Sequence, residues 1–262
     1  MGYETLELTV DGGVASVVLN RPDDGNSFSA VFCREFGHLG NELASRRDVR
    51  VVLLRSRGRF FSIGGDIGMF SRDLDAASAA VRDGTSGLHM GLARLLRMDA
   101  PIVACVQGTA MGGAVSIIAN CDLVYSARSA RFGAAYARIG FTCDLGATSG
   151  LASRMGIARA RRFLLLGEVL DADEAKRTGL VDHVLDDDAV AEEAYKATVE
   201  LGQGPTRAYG EIRRLLARAL ANPLEAQLED EAQALARAAA TSDAREGITA
   251  FVEKRTPRFH GQ

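Results

Sequence analysis

The sequence has few of the side chains from which metal sites and disulfide frameworks are built. Its four cysteines are Cys33, Cys105, Cys121 and Cys143. Its four histidines are His38, His89, His183 and His260. The cysteines form no C-x-x-C pair, and neither residue type shows metal-ligand spacing, so we expect reduced thiols and no bound metal.

Long apolar runs and a strong excess of one charge are also absent. No apolar run reaches about 18 residues, so no membrane-spanning helix is predicted. The net charge of -3, from 31 basic and 34 acidic residues, gives no electrostatic reason to expect a nucleic-acid partner. The first residues, 1–5, lack the basic region and apolar core of a signal peptide, and the expected location is cytoplasmic.

What remains is ordinary globular composition. The 262 residues are 47% apolar and 25% charged, enough to bury a substantial core in one large domain or two small ones. Residues 5–10 and 14–19 indicate a hairpin around Gly12 and Gly13. Phe32, Phe36 and Leu39 follow helical spacing. These patterns predict an α/β protein.

Two glycine-rich turns stand out. One follows the strand-like run 102–106, where Gly108, Gly112 and Gly113 precede an apolar helix-like stretch. The other follows the run 51–55 and also places glycines before a predicted helix. Unpaired N–H groups at such turns attract negative charge, so the two turns could together form an oxyanion hole. Two ordinary tight turns would show the same spacing, and the spacing alone leaves both interpretations open.

The stretches Phe60-Phe-Ser-Ile-Gly-Gly-Asp66 and Gln107-Gly-Thr-Ala-Met-Gly-Gly-Ala114 closely resemble the two signature loops of the crotonase (enoyl-CoA hydratase/isomerase) superfamily. The resemblance extends from Leu19 to Phe259. It implies a spiral of ββα units in residues 1–201 that carries the acyl-CoA site. Residues 202–262 would form a helical region for oligomerisation and CoA contact, in a homotrimer or a dimer of trimers.

The resemblance also implies the chemistry. The substrate would be an acyl-CoA thioester, with no permanently bound cofactor, and Gly65 and Gly113 would donate the oxyanion N–H groups. Enoyl-CoA hydratases use two glutamates to add water, and the matching positions here are Ser116 and Tyr136. Because both carboxylates are missing, hydration by the usual two-carboxylate route is not expected.

Asp144 supplies a carboxylate in the same region. Several branches of the superfamily use an aspartate at this position, as a general base or as a nucleophile that forms an ester. The alternative is that Asp144 caps a helix starting near Leu145. In 4-chlorobenzoyl-CoA dehalogenase, a histidine lies twelve residues before the proline that opens the oxyanion strand, as His89 lies before Pro101 here. An aromatic residue there lies eight residues before the nucleophilic aspartate, as Tyr136 lies before Asp144. His89 is thus a candidate acid–base partner, although a lone helical histidine is usually structural.

The resemblance further implies contacts to CoA. The N-terminal candidates are Arg21, Phe28, Ile63 and Asp66; the C-terminal ones are Phe251 and Lys254. A solvated loop would account equally for Arg21, and a surface charge for Lys254.

We therefore expect an enoyl-CoA hydratase/isomerase-family enzyme, a lyase or isomerase, that moves protons next to the thioester through Asp144. The reaction would be double-bond isomerisation or hydration by a non-standard route. The alternatives are hydrolytic displacement on an aromatic acyl-CoA, and a non-catalytic relative that binds CoA or RNA. Neither G-x-x-x-x-G-K-[ST] nor G-x-G-x-x-G occurs, which excludes the common nucleotide-binding motifs.

Overall fold

The computed structural model of the chain describes residues 2–262, and strands alternate with helices along its first two-thirds. The strands are β1 (Leu6–Asp11), β2 (Val14–Leu19), β3 (Val51–Ser56), β4 (Phe60–Ser62), β5 (Ile102–Val106), β6 (Thr109–Met111), β7 (Leu123–Ala127), β8 (Arg131–Gly133), β9 (Val169–Asp171) and β10 (His183–Leu185). The α-helices are α1 (Ala30–Ser45), α2 (Ile67–Ser71), α3 (Ala77–Arg97), α4 (Gly113–Ala119), α5 (Ala147–Met155), α6 (Ile157–Leu166), α7 (Ala172–Arg177), α8 (Val190–Gly202), α9 (Thr206–Arg218), α10 (Leu224–Ala239) and α11 (Ser242–Glu253). Two 3-10 helices span Pro22–Asp24 and Tyr136–Ile139.

The strands form two sheets. The larger has the order β1-β2-β3-β5-β7-β10, and the smaller has the order β4-β6-β8-β9. Only the pairs β1–β2 and β8–β9 are antiparallel. Three successive pairs, β3–β4, β5–β6 and β7–β8, each place one strand in each sheet and lead into a helix. The predicted α/β fold built from ββα units is confirmed.

The core lies between the larger sheet and the first long helices. Strand β5 is buried at every residue, as its unbroken apolar sequence predicts. Helix α1 buries Phe32 and Phe36, which follow the helical spacing in the sequence. Helices α1 and α3 come together through glycines: a Cβ on Gly40 would lie 2.5 Å from the Gly91 carbonyl oxygen. This close approach fixes the position of α3 beside the site described below.

Helices α9 to α11 follow α8 and lie in residues 202–262, the region that the family resemblance predicts to be helical. Several large apolar side chains on these three helices are exposed: Ile212, Leu216, Leu228, Leu235, Ile248, Phe251 and Val252. Such a surface is typical of a subunit contact, and oligomerisation through this region stays a prediction. None of the helices within residues 2–262 is both long enough and apolar enough to cross a bilayer.

Candidate active site

Strands β4 and β6 bring the two glycine-rich loops together. They are parallel neighbours, with Phe60 paired to Thr109 and Ser62 paired to Ala110, so the loops that follow them leave the same edge of the sheet. Gly64 has a φ of 81°, and a Cβ there would lie 2.5 Å from the Met111 carbonyl oxygen. Only glycine permits this contact between the loops.

Each of the two loops contributes one of the expected oxyanion donors, Gly65 or Gly113. Gly65 and Gly113 both line a cavity of about 270 Å³. Neither N–H has a hydrogen-bond acceptor among residues 2–262. Gly65 is held in place by Phe28, whose N–H donates to the Gly64 carbonyl oxygen over 2.8 Å and which forms an isolated bridge with Gly65. Gly113 is the first residue of α4, where N–H groups have no partner within the helix.

The cavity walls are mostly apolar. They come from the loop before α1, from the helices α1, α2 and α3, from the two glycine loops and from residues 135–144. The lining side chains include Phe28, Cys33, Ile63, Ile67, Met69, Phe70, Val81, Leu88, Tyr136, Ile139, Phe141 and Asp144. Asp144 is the one carboxylate among the lining residues. An apolar cavity with few polar groups suits the acyl part of a ligand.

A chain of hydrogen bonds connects Asp144 to the interior. The Tyr136 hydroxyl donates to Asp144 Oδ1 over 2.7 Å and lies 2.8 Å from Ser116 Oγ. Burial, with the added negative charge of Asp144, raises the pKa of the Tyr136 phenol above its usual range, so the hydroxyl keeps its proton. Because that proton points to Asp144 Oδ1, the Ser116 hydroxyl donates to the tyrosine oxygen. Asp144 Oδ2 has no hydrogen-bond partner within residues 2–262.

The capping interpretation of Asp144 is wrong. Leu145 and Gly146 both adopt left-handed backbone, with φ of 50° and 68°, and α5 begins only at Ala147. The residue that caps α5 is Gly146, and no side chain accepts a hydrogen bond from its first turn. The left-handed turn instead leaves the Asp144 carboxyl free to meet Tyr136.

His89 lies behind this turn. Its Nε2 accepts a hydrogen bond from the Leu145 N–H over 3.2 Å, so the ring proton is on Nδ1. The Leu145 side chain is fully buried, and this N–H is the backbone group directly after Asp144. His89 itself is not among the residues that line the cavity.

The family model described as "Enoyl-CoA hydratase/isomerase" matches residues 9–262 of the chain. The chain belongs to this family. It is 32% identical over 256 residues to 1,2-epoxyphenylacetyl-CoA isomerase of Escherichia coli, covering 97% of each chain. It is 30% identical over 250 residues to 2,3-dehydroadipyl-CoA hydratase of the same organism, covering 95% of this chain and 96% of that one. The crystal structure of an enoyl-CoA hydratase from Mycobacterium smegmatis matches with a TM-score of 0.90 at 28% identity, over 98% of this chain and 99% of that one.

The homologues in this enoyl-CoA hydratase/isomerase family identify the chain as an enzyme that processes acyl-CoA. Of the six residues expected to contact CoA, the structure places Phe28 and Ile63 in the cavity wall. Arg21 instead pairs with Asp24, outside the lining. Asp66 precedes α2 and is also outside the lining.

The two C-terminal candidates also lie outside the cavity wall. Phe251 is 86% exposed, and Lys254 ends α11 in left-handed backbone. Within residues 2–262, no group of three His, Cys, Asp or Glu side chains is arranged to hold a metal ion.

Sequence reasoning missed part of the cavity wall of this family member. Phe70 and Phe141 meet edge to face, with their ring centroids 5.4 Å apart. Cys33 faces the cavity from α1, and burial, with a smaller effect of Asp144, raises the pKa of its thiol to about 11. Phe141 and Cys33 lie far from the glycine loops in the sequence, and helical spacing places Cys33 simply on a buried face. No local pattern indicates that either side chain reaches the site.

Proposed function

We propose that this enzyme moves a carbon–carbon double bond next to a CoA thioester, by proton transfer through Asp144. The observation that carries the proposal is that two unpaired backbone N–H groups, at Gly65 and Gly113, line the same small apolar cavity as Asp144. Such donors stabilise the negative charge that develops on a thioester oxygen. Each is worth roughly 3–4 kcal/mol in a site of this kind.

The proposed reaction needs one acid–base group. With a 3-enoyl-CoA, Asp144 Oδ2 takes a proton from C2, and the electron pair moves onto the thioester oxygen between the N–H groups of Gly65 and Gly113. The protonated Asp144 then returns the proton to C4 as the electrons move back. The product is the 2-enoyl-CoA, and the carboxylate is regenerated without any other reactant.

The contacts around Asp144 favour isomerisation over hydration. The Tyr136 hydroxyl donates a hydrogen bond to Asp144 Oδ1 and is itself in contact with the Ser116 hydroxyl, so only Oδ2 of the carboxylate remains for the substrate. Hydration requires a base for water and an acid for the neighbouring carbon, and the polar lining offers no second carboxylate.

The CoA portion would extend outward from the glycine loops. Phe28 and Ile63 would contact its inner part, and Arg21 and Asp66 would lie along its path. Phe251 and Lys254 are exposed, so they could contact CoA bound to the same subunit or to a neighbour. The exposed apolar side chains of α9 to α11 support the assignment of residues 202–262 to oligomerisation, in a homotrimer or a dimer of trimers. A cytoplasmic location stays a prediction.

A second candidate reaction is displacement on an aromatic acyl-CoA. Here the Asp144 carboxylate would attack a ring carbon that carries a halide; the halide would leave, and water would hydrolyse the resulting aryl ester. The aromatic wall formed by Phe28, Phe70, Phe141 and Tyr136 favours a flat acyl group. A non-catalytic relative is the weakest alternative, because it would have no need for unpaired N–H groups in the same cavity as a carboxylate.

The test is mass spectrometry in deuterated water with 3-enoyl-, 2-enoyl- and 4-halobenzoyl-CoA. Conversion of 3-enoyl- into 2-enoyl-CoA, separated by chromatography before mass analysis, should be lost in Asp144→Asn and retained in Asp75→Asn, which replaces an exposed carboxylate. Because Asp144 returns the proton that it removed, the product should carry deuterium only to the extent that this proton exchanges with solvent. Halide release would support the displacement reaction instead. An Asp144→Asn variant as active as the wild type would eliminate both reactions.

A further inference from the structure

A second cavity, of about 760 Å³, opens at the other edge of the larger sheet. It lies at the amino ends of β3 and β5, where Arg50 precedes one strand and Ala100 the other. The catalytic cavity lies beyond the carboxyl ends of the same strands, where the chain continues into β4 and β6. No residue lines both cavities.

We call this second cavity the arginine groove. The ionisable side chains that line it belong to Arg46, Arg47, Arg50, Arg97, Asp99, Arg207 and His260. Five are arginines, in a chain whose net charge is -3. The groove therefore concentrates positive charge on a protein that is slightly acidic as a whole.

The acidic side chains in or beside the groove already have partners, and one of them, Asp243, accepts hydrogen bonds from the N–H groups of His260 and Gly261. Asp99 contacts Arg214 over 2.7 Å, outside the groove, and Asp48 contacts Arg46 over 2.6 Å. Among residues 2–262, Arg47, Arg97 and Arg207 have no carboxylate within 4.0 Å. These three guanidinium groups are exposed and free to bind an anion.

Arg50 forms a rigid part of the wall. Its Nε donates to Thr206 Oγ1 over 2.8 Å, and its guanidinium also donates to the carbonyl oxygens of Gly204 and Phe259. A Cβ on Gly13 would lie 2.6 Å from Arg50 Cγ, so the arginine stem is closely packed as well. Its charge has no carboxylate partner and adds to the positive potential of the groove.

We propose that the arginine groove binds a ligand that carries a diphosphate. Guanidinium groups bind phosphate oxygens in pairs of parallel hydrogen bonds, which makes arginine well suited to phosphate recognition. The volume is within the range of small-molecule sites and well above what a single phosphate fills. Val49, Met98 and Ala100 provide an apolar floor for a further, less polar part of the ligand. Free pyrophosphate and a nucleoside diphosphate share this chemistry.

The experiment is isothermal titration calorimetry of the full chain with pyrophosphate and, separately, with ADP. The variant is the double substitution Arg97→Gln/Arg207→Gln. Both side chains are exposed and form no hydrogen bonds, so the variant should fold like the wild type, and circular dichroism checks this. The control is Arg161→Gln on α6, which removes another exposed arginine with no carboxylate partner.

We expect the double variant to weaken binding by at least about 10-fold, since charge-assisted hydrogen bonds are lost, and Arg161→Gln to leave it unchanged. Added salt should weaken binding to the wild type. Tighter binding of ADP than of pyrophosphate would identify a nucleotide as the source, and equal binding would identify the diphosphate alone. Absence of binding for both probes overturns the proposal. So does binding that the double variant retains, because it would then belong to another site such as the catalytic cavity.

Discussion

The Tyr136 hydroxyl and the Asp144 carboxylate are joined by a hydrogen bond of 2.7 Å, within the nine-residue segment 136–144 that lines one side of the cavity. Tyr136 holds Oδ1 and leaves Oδ2 without a partner inside the described chain. The same hydroxyl contacts Ser116, which is buried in α4, the helix that begins at Gly113. The proposed acid–base group and one proposed oxyanion donor are thereby tied to the same helix.

Replacing Tyr136 by phenylalanine should lower kcat for 3-enoyl-CoA isomerisation by roughly 10- to 100-fold with little change in KM. The variant removes a hydrogen bond to a charged group, worth about 1.5–3 kcal/mol, and leaves the aromatic wall in place. Steady-state kinetics measure the effect. Tyr125→Phe, which changes a half-buried tyrosine outside the cavity, is the control. An unchanged kcat in Tyr136→Phe would show that Asp144 needs no such support.

Replacing Gly64 by alanine should separate the two loops. The new Cβ would meet the Met111 carbonyl oxygen at 2.5 Å, and a φ of 81° adds strain of about 1–2 kcal/mol. A shift of about 1 Å between the Gly65 and Gly113 donors can cost roughly 100-fold in rate. The matched control is Gly12→Ala, where φ is also positive but no atom lies within 4 Å. Thermal unfolding should show a larger loss of stability in Gly64→Ala than in Gly12→Ala, because only the first adds a backbone clash to the positive φ, and kinetics should show a loss only in Gly64→Ala.

His89 offers a way to separate positioning from proton transfer. His89→Ala leaves the Leu145 N–H without its acceptor, which should cost about 1–3 kcal/mol of stability and lower kcat by displacing Asp144. His89→Gln can supply an acceptor oxygen and should restore most of both quantities. His38→Ala, on the exposed side of α1, is the control. A His89→Gln variant that is stable but inactive would instead favour the acid–base role that the sequence suggests.

Stability should fall at alkaline pH because buried thiols resist ionisation. Burial raises the pKa of the Cys105 thiol from 9.0 to about 11. Its folded pKa is therefore higher than its unfolded one, so its contribution is complete below about pH 9 and is lost as the pH rises towards 11. Over that range the loss is of the order of 2–3 kcal/mol. Urea unfolding of Cys105→Ala at several pH values should give a correspondingly flatter decline, although Cys33 and Cys121 shift in the same direction. Parallel curves for wild type and variant would contradict the assignment.

Much of the fold is predictable from local patterns. The hairpin around Gly12 and Gly13 forms β1 and β2, and the apolar run before Gly108 forms the fully buried β5. The family resemblance of the two glycine loops correctly indicates the superfamily. These features are predictable because strand alternation, helical spacing and glycine turns depend on residues close together in the chain.

The sequence by itself determined the hairpin of β1 and β2, the buried strand β5, the family and the absence of glutamates at Ser116 and Tyr136. Only the tertiary structure decided that these two replacements contact each other, that Asp144 bonds to Tyr136 instead of capping α5, and that His89 holds the Leu145 N–H. The tertiary structure also brought together the residues of the arginine groove, which come from separate segments between residues 43 and 262. The physical reason is the same in each case: a side-chain contact depends on how separate elements pack, and no local spacing encodes that distance.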